Sequence, residues 1–320
     1  MVITKHQLSL SLILKIKYQI SVINDFEFGL IDDLEISADQ KIYVNDLFLG
    51  ILVFNQDGEL LKEYNSKGQG PGDFASIDDL LVVNGQLFAV DPVLFEYLCL
   101  IRQSLTYQNS YDLPPINNNY GEVLSPSRLW RLDDGNFIIE YKGKYNRNNI
   151  DQDHYRQYVL TDSLFNSLDE SLFRSKDREM LTYSEGNDFL VSMHPFGRED
   201  LVDVTPDGVV YKISTEQNCI EYFRSDRVED TKEKCIEELT EKSISESDRT
   251  KMNTSEDADL YRKVSMPDSY PYAEELLLNS DGSNTTLWVT KRNSAGVTEV
   301  IEIAPETGRC TSEDQGRLFF

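Results

Sequence analysis

Four aspartates in two matching settings are the residues whose types and spacing could do chemistry. Ile31-Asp32-Asp33-Leu34 recurs as Ile77-Asp78-Asp79-Leu80, 46 positions on. Repeats that close around a common axis bring such carboxylates together, and oxygen donors of this kind hold calcium. A metal there would polarise a lactone or ester carbonyl. The plainer reading is that they cap turns and hydrogen-bond between repeats. No Asp-x-Asp-x-Asp-Gly loop strengthens the metal case.

The other candidates are few. The histidines are His6, His154 and His194. His194, in Met193-His194-Pro195-Phe196-Gly197-Arg198, falls where a repeat begins and could serve as base or ligand. A histidine satisfied within its loop is the plainer expectation, and three histidines make a His-based zinc site a poor fit. No Gly-x-Ser-x-Gly elbow supports a Ser-His-Asp triad. Arg128 and Arg198 could hold a carboxylate or sugar by paired hydrogen bonds, and Trp130 reads as core. The loop Gly68-Gln69-Gly70-Pro71-Gly72-Asp73-Phe74 has three glycines that could form an anion nest. A phosphate loop needs Lys-Ser or Lys-Thr and then a helix, whereas strand residues follow here. Gly68, Gly70, Pro71, Gly72 and Phe74 therefore read as a rigid inter-repeat turn.

The elements that must position these residues are short strands. Each aspartate pair leads into a second apolar run ending in aspartate, Ile42 to Asp46 and Leu87 to Asp91. A repeat of about 40–50 residues built this way is the signature of a β-propeller blade. The first blade spans roughly 28–74 and the second roughly 75–115. A third begins near Ser127, a fourth near Phe196 and a fifth after Pro271. Asn84-Gly85, Asp134-Gly135, Asp207-Gly208 and Asp281-Gly282 mark their hairpins, with Asp39-Gln40 serving the first. A sixth blade would draw on strands within Leu8–Ile23 and on the segment Arg309–Phe320, or be incomplete. Residues 227–263 are charged and free of Gly and Pro. Cys235, Ile236, Leu239 and Ile244 lie near helical spacing there, which predicts a helical insertion.

Composition narrows the function classes. The 320 residues carry 56 acidic and 31 basic side chains, a net charge of −25. Binding to nucleic acid needs clustered Lys and Arg, and an anionic membrane surface would repel this chain. With 17 Tyr, 15 Phe and 40% hydrophobic residues it can build a large core. Cys99, Cys219, Cys235 and Cys310 form no CxxC pair. Cys99 reads as a core thiol. Cys219 and Cys235 could pair in an exported chain, which spacing alone does not decide. At the N-terminus, Lys15 and Lys17 interrupt the apolar run, so a β-strand explains it better than an export signal. No stretch reaches the roughly 18 apolar residues of a membrane span.

The segment Tyr64 to Asp91, with its GQGPGDF loop, Ile77-Asp78-Asp79 and Val90-Asp91, resembles the six-bladed β-propellers of bacterial envelope proteins, related to NHL-repeat propellers. Leu287-Trp288-Val289 fits their late blades. The resemblance implies an extracytoplasmic location. The expectation is thus a single all-β domain over 1–320, a β-propeller of six blades, with the insertion within it. It binds a protein, peptide or glycan on one face and requires no cofactor. The candidate contacts are Asp32, Asp78, Arg128, His194 and Arg198. The rival is a calcium-dependent hydrolase or lyase with its site in the central channel.

Overall fold

The computed structural model describes residues 22–23, 26–118, 122–145, 154–185, 188–254, 258–261, 267–280, 285–292, 298–305 and 309–310. Its elements are almost all antiparallel strands, each paired with its neighbour in sequence. A small hairpin, β1 (Val22–Ile23) and β2 (Phe26–Glu27), comes first. The first blade is β3 (Ile31–Ile36), β4 (Ile42–Asp46), β5 (Gly50–Phe54) and β6 (Leu60–Tyr64). The second is β7 (Asp79–Val83), β8 (Gln86–Asp91), β9 (Glu96–Ile101) and β10 (Thr106–Asp112). The third has five strands: β11 (Ile116–Asn117), β12 (Val123–Arg131), β13 (Phe137–Lys142), β14 (Tyr155–Thr161) and β15 (Ser167–Lys176). A two-stranded sheet follows, β16 (Met180–Glu185) with β17 (Asp188–Met193). Next come β18 (Asp200–Val204), β19 (Val209–Ser214), β20 (Cys219–Arg224) and β21 (Arg227–Cys235). After helices α1 (Glu246–Thr254) and α2 (Ala258–Tyr261), the last blade is β22 (Glu275–Ser280), β23 (Thr285–Arg292), β24 (Thr298–Ala304) and β25 (Arg309–Cys310).

The chain separates into two compact units. Unit 1 comprises Met1–Gly143 with Gln157–Phe173; unit 2 comprises Lys144–Arg156 with Arg174–Phe320.

In unit 1 the period-2 alternation of a strand sorts side chains between neighbouring blades. Leu87 and Ala89 of β8 pack with Tyr43, Ile51 and Val53 of the first blade. Their alternates Phe88 and Val90 pack with Leu129, Phe137 and Ile139 of the third. A strand buried on both faces reads as a continuous apolar run, and β5, Gly-Ile-Leu-Val-Phe, is buried at every residue. The outer strand β6 is largely exposed. Phe165 ties the second and third blades together. Its ring lies 4.7 Å from Tyr97, 5.1 Å from Tyr111 and 4.8 Å from Phe137. Cys99 is fully buried in the same cluster, as expected of a core thiol.

Unit 2 differs from expectation along the insertion. Residues 227–235 are not helical but form β21, the outer strand of its blade, joined to β20 by the disulfide Cys219–Cys235. Both faces of β21 are solvated and charged, which suits an exposed edge and erases the alternation that marks a strand in sequence. Ile236 and Leu239 instead enter the core shared by the blades of β18–β21 and β22–β25. Helix begins only at Glu246, where the Asp248 amide donates to Ser245 Oγ at 3.1 Å. Ser at that position caps the first turn. Arg309–Cys310, assigned from sequence to a sixth blade, instead completes the blade of β22–β24. Of Leu8–Ile23, only Val22–Ile23 falls within the described residues.

Candidate functional site

In unit 1 the start of each inner strand lies beside the end of the second strand. Ile31 pairs with Asp46, and the Asp78 amide donates to the Val90 carbonyl at 3.1 Å. Asp46 closes its turn by accepting from the amides of Phe48 (2.9 Å) and Leu49 (3.0 Å) on one oxygen and of Gly29 (2.7 Å) on the other. Asp91 repeats this with Val93 and Leu94 (both 2.8 Å) and with Ala75 (2.7 Å).

The second aspartate of each pair joins successive blades. Asp33 accepts the Leu80 amide at 2.7 Å, and Asp79 accepts the Leu129 amide at 3.0 Å. Arg128 precedes Leu129 as Asp33 precedes Leu34 and Asp79 precedes Leu80, so it stands where two blades carry the joining aspartate. Its guanidinium lies 4.6 Å from the Trp130 ring centroid, a cation–π distance. Beside it, the buried Glu140 carboxylate accepts from Ser127 Oγ (2.7 Å) and the Tyr158 hydroxyl (2.6 Å).

Of the first aspartates, Asp78 is paired with a lysine and Asp32 lies in the field of that pair. Lys142 Nζ, at the end of β13, lies 2.7 Å from Asp78 Oδ2. Burial pushes the Asp32 carboxyl above its ordinary range, and the negative charge of Asp78 pushes it further. Lys142 opposes that shift, while Asp33 and Asp46 add to it. The Asp78–Lys142 ion pair thus joins the second and third blades at their turn end, with Asp32 of the first blade in its electrostatic field. The arrangement can attract a cationic group, with Lys142 already serving as counter-ion to Asp78.

The glycine-rich loop is organised around its own aspartate. Asp73 accepts from Ser66 Oγ (2.6 Å) and the Gly70 amide (3.0 Å), which hold its carboxyl below the usual range. A Cβ on Gly68 would fall 2.3 Å from Asp73 Oδ2. Gly72 has φ +88°, and the Tyr64 hydroxyl donates to its carbonyl. Phe74 is buried against the second blade. With a carboxylate filling the concavity, the loop is built as a turn and repels an anion.

In unit 2, His194 is buried, and its Nδ1 accepts the Phe196 amide at 3.0 Å. Burial lowers its pKa, with Arg178 and Arg198 acting in the same direction and Glu179 opposing. Arg198 donates to the Ser269 carbonyl (3.1 Å) and hydroxyl (3.0 Å), so it fastens the segment before β22. Both residues sit in a web that includes Lys176–Glu179 (2.8 Å) and Arg156–Glu199 (3.4 Å). Among the described residues, three metal-capable side chains approach one another only at Cys219, Glu233 and Cys235, whose sulfurs are bonded to each other.

Sequence reasoning missed Lys142, Phe48 and Val93. Phe48 and Val93 are each two residues past the aspartate that closes a second strand, and both side chains are exposed. Aligning the repeats through Asp46 and Asp91 would have found them.

Among solved structures, one similar to this chain is a candidate exported protein from Bacteroides fragilis. It shows 17% identity and a TM-score of 0.47, over 92% of this chain and 72% of that one. A candidate gluconolactonase shows 11% identity and a TM-score of 0.46, over 92% and 79%. A nidogen/laminin complex shows 13% and 0.43, over 88% and 78%. No curated protein matches the sequence. The family described as 6-bladed beta-propeller matches residues 5–262, and with its four-stranded meander blades the chain belongs to that family.

Proposed function

We propose that this protein is a non-catalytic binding propeller, a single domain over 1–320, that recognises a protein, peptide or glycan on one face of its blades. The observation that carries this reading is how the reactive side chains are used. Asp33, Asp46, Asp79 and Asp91 are committed to backbone amides. His194 Nδ1 is committed to Phe196, and Arg198 to Ser269. Residues whose hydrogen-bonding atoms are taken up by turn and inter-blade partners are poor acids, bases or metal ligands. No helix among the described residues is long and apolar enough to cross a membrane. The Cys219–Cys235 bond supports an extracytoplasmic setting, because disulfides persist in oxidising compartments.

The rival calcium-dependent hydrolase or lyase draws on one feature, the electrostatic influence of the Asp78 carboxylate on Asp32. Thermal unfolding in EDTA and then in excess calcium separates the two, with lactone and ester hydrolysis measured alongside. The binding reading expects no calcium-dependent rise and no turnover. A native-state site held at a hundredfold excess of calcium over its Kd would add about 2.7 kcal/mol. That rise, lost in Asp32→Asn together with measurable turnover, would overturn the reading.

A further inference from the structure

Resting on the binding reading, we infer that the turn-end face of unit 1 docks an extended segment of a partner protein bearing a lysine or arginine flanked by apolar side chains. Three observations meet there. The first is a pair of apolar pegs at equivalent positions on consecutive blades. Phe48 is 63% exposed in the β4–β5 turn, and Val93 is 54% exposed in the β8–β9 turn. Leu30 and Leu47, also exposed, flank Phe48, and the Leu47 amide donates to the Leu30 carbonyl at 2.8 Å.

The second is that both pegs are held in place. Asp46 and Asp91 each bind the two amides of the turn and one of the incoming chain. The Phe48 ring lies against Gly29, where a Cβ would come within 2.4 Å of it. A contact surface fixed before binding loses little entropy on binding.

The third is charge. Asp32 lies in the field of Asp78, Asp33 and Asp46, with Lys142 as the opposing cation. Lys67, whose Nζ donates to the Leu47 carbonyl at 2.7 Å, is a further cation at this edge. Among the described residues named at this edge, Asp32, Asp33, Asp46, Asp78 and Asp91 outnumber Lys67 and Lys142, so the face is acidic, as the whole chain is. Exposed apolar groups beside a net negative field fit a partner that is apolar and basic.

The test is fluorescence anisotropy with three labelled peptides on the full chain: alternating Leu and Lys, alternating Leu and Glu, and alternating Ser and Lys. The Leu/Lys peptide should bind tightest. Phe48→Ser combined with Val93→Ser should weaken it about tenfold or more. Asp32→Asn should weaken it about two- to fivefold, and more at low salt. Asp57→Asn, in the β5–β6 turn, should leave it unchanged. Equal binding of the Ser/Lys peptide, or an equal loss in Asp57→Asn, would reduce the effect to diffuse charge and overturn the docking face. So would self-association of the chain that disappears in the Phe48/Val93 variant. Undiminished Leu/Lys binding by that variant overturns this face but leaves the binding reading standing. Lactone turnover abolished by Asp32→Asn overturns the binding reading itself.

Discussion

Unit 1 and unit 2 are both built from antiparallel meander blades, mostly four-stranded, yet the blades within each are held together differently. Unit 1 uses one rule repeatedly. An aspartate on an inner strand bonds an amide of the next blade, another closes the second turn, and alternate apolar residues fill the space between blades. Among the described residues of unit 2 the rule appears where Asp203 accepts the Leu278 amide at 3.0 Å. Elsewhere it relies on single devices. Cys219–Cys235 ties β21 to β20. Tyr270 donates to Asp248 at 2.7 Å and receives the Ser245 amide at 2.9 Å, fixing α1. Arg292 reaches Glu274 at 2.6 Å. The difference teaches that a repeated bond leaves a repeated motif, whereas a device used once leaves no pattern to find.

The largest expected effect probes the apolar side of that contrast. Phe165→Ala removes the ring shared by two blades of unit 1 and should cost about 3–5 kcal/mol in urea unfolding. Hydrogen exchange should show the loss in unit 1 strands. If protection falls equally in β18–β21, the two units are not distinct in stability.

Next, replacing Cys219 and Cys235 together with serine should cost about 3 kcal/mol, given their separation of 16 residues. The loss should fall in unit 2, read as faster exchange in β20 and β21. Unchanged exchange there would mean that strand pairing alone holds the edge.

The shared rule gives a smaller and more direct comparison. Asp79→Ala and Asp203→Ala each leave a buried inner-strand amide without its carboxylate, which should cost about 1–3 kcal/mol. Similar losses would confirm one rule in both units. A much smaller loss for Asp203→Ala would mean that the devices of unit 2 have replaced it.

The smallest effect is a pH dependence confined to unit 2. Burial holds the His194 pKa below its ordinary value, so the unfolded chain takes up the proton first as pH falls. The stabilisation is present above about pH 6.5. It is lost as pH falls from there through the lower folded value. His194→Gln should flatten that acid limb in melts taken across it; an unchanged slope would show that other groups set it.

Much of the fold was legible because its causes are local. Positive φ at Asn84 and Gly85 gives the tight turn that Asn-Gly advertises. Runs such as Leu87 to Val90 announce strands buried on both faces. The β16–β17 hairpin was also legible, since Met180 to Met193 carries a Gly186-Asn187 turn signal between two apolar stretches. β21 was not legible. Its charged residues have no alternation, and only pairing with β20 and the link from Cys219 to Cys235 make it a strand.

The sequence by itself determined the blade, its period, its turns and the doubling of aspartates, because each follows from the local conformation and burial of a short segment. Only the tertiary structure decided what each aspartate does. Asp32 and Asp33 are neighbours in a repeated motif, yet one joins two blades and the other faces Asp78 and Lys142 across three. The pairing of β3 with β4 slips by one residue between Ile31 and Asp33, and such a bulge re-aims the side chains around it; which of them meets backbone and which meets charge is set by residues nearly 50 to more than 100 positions away.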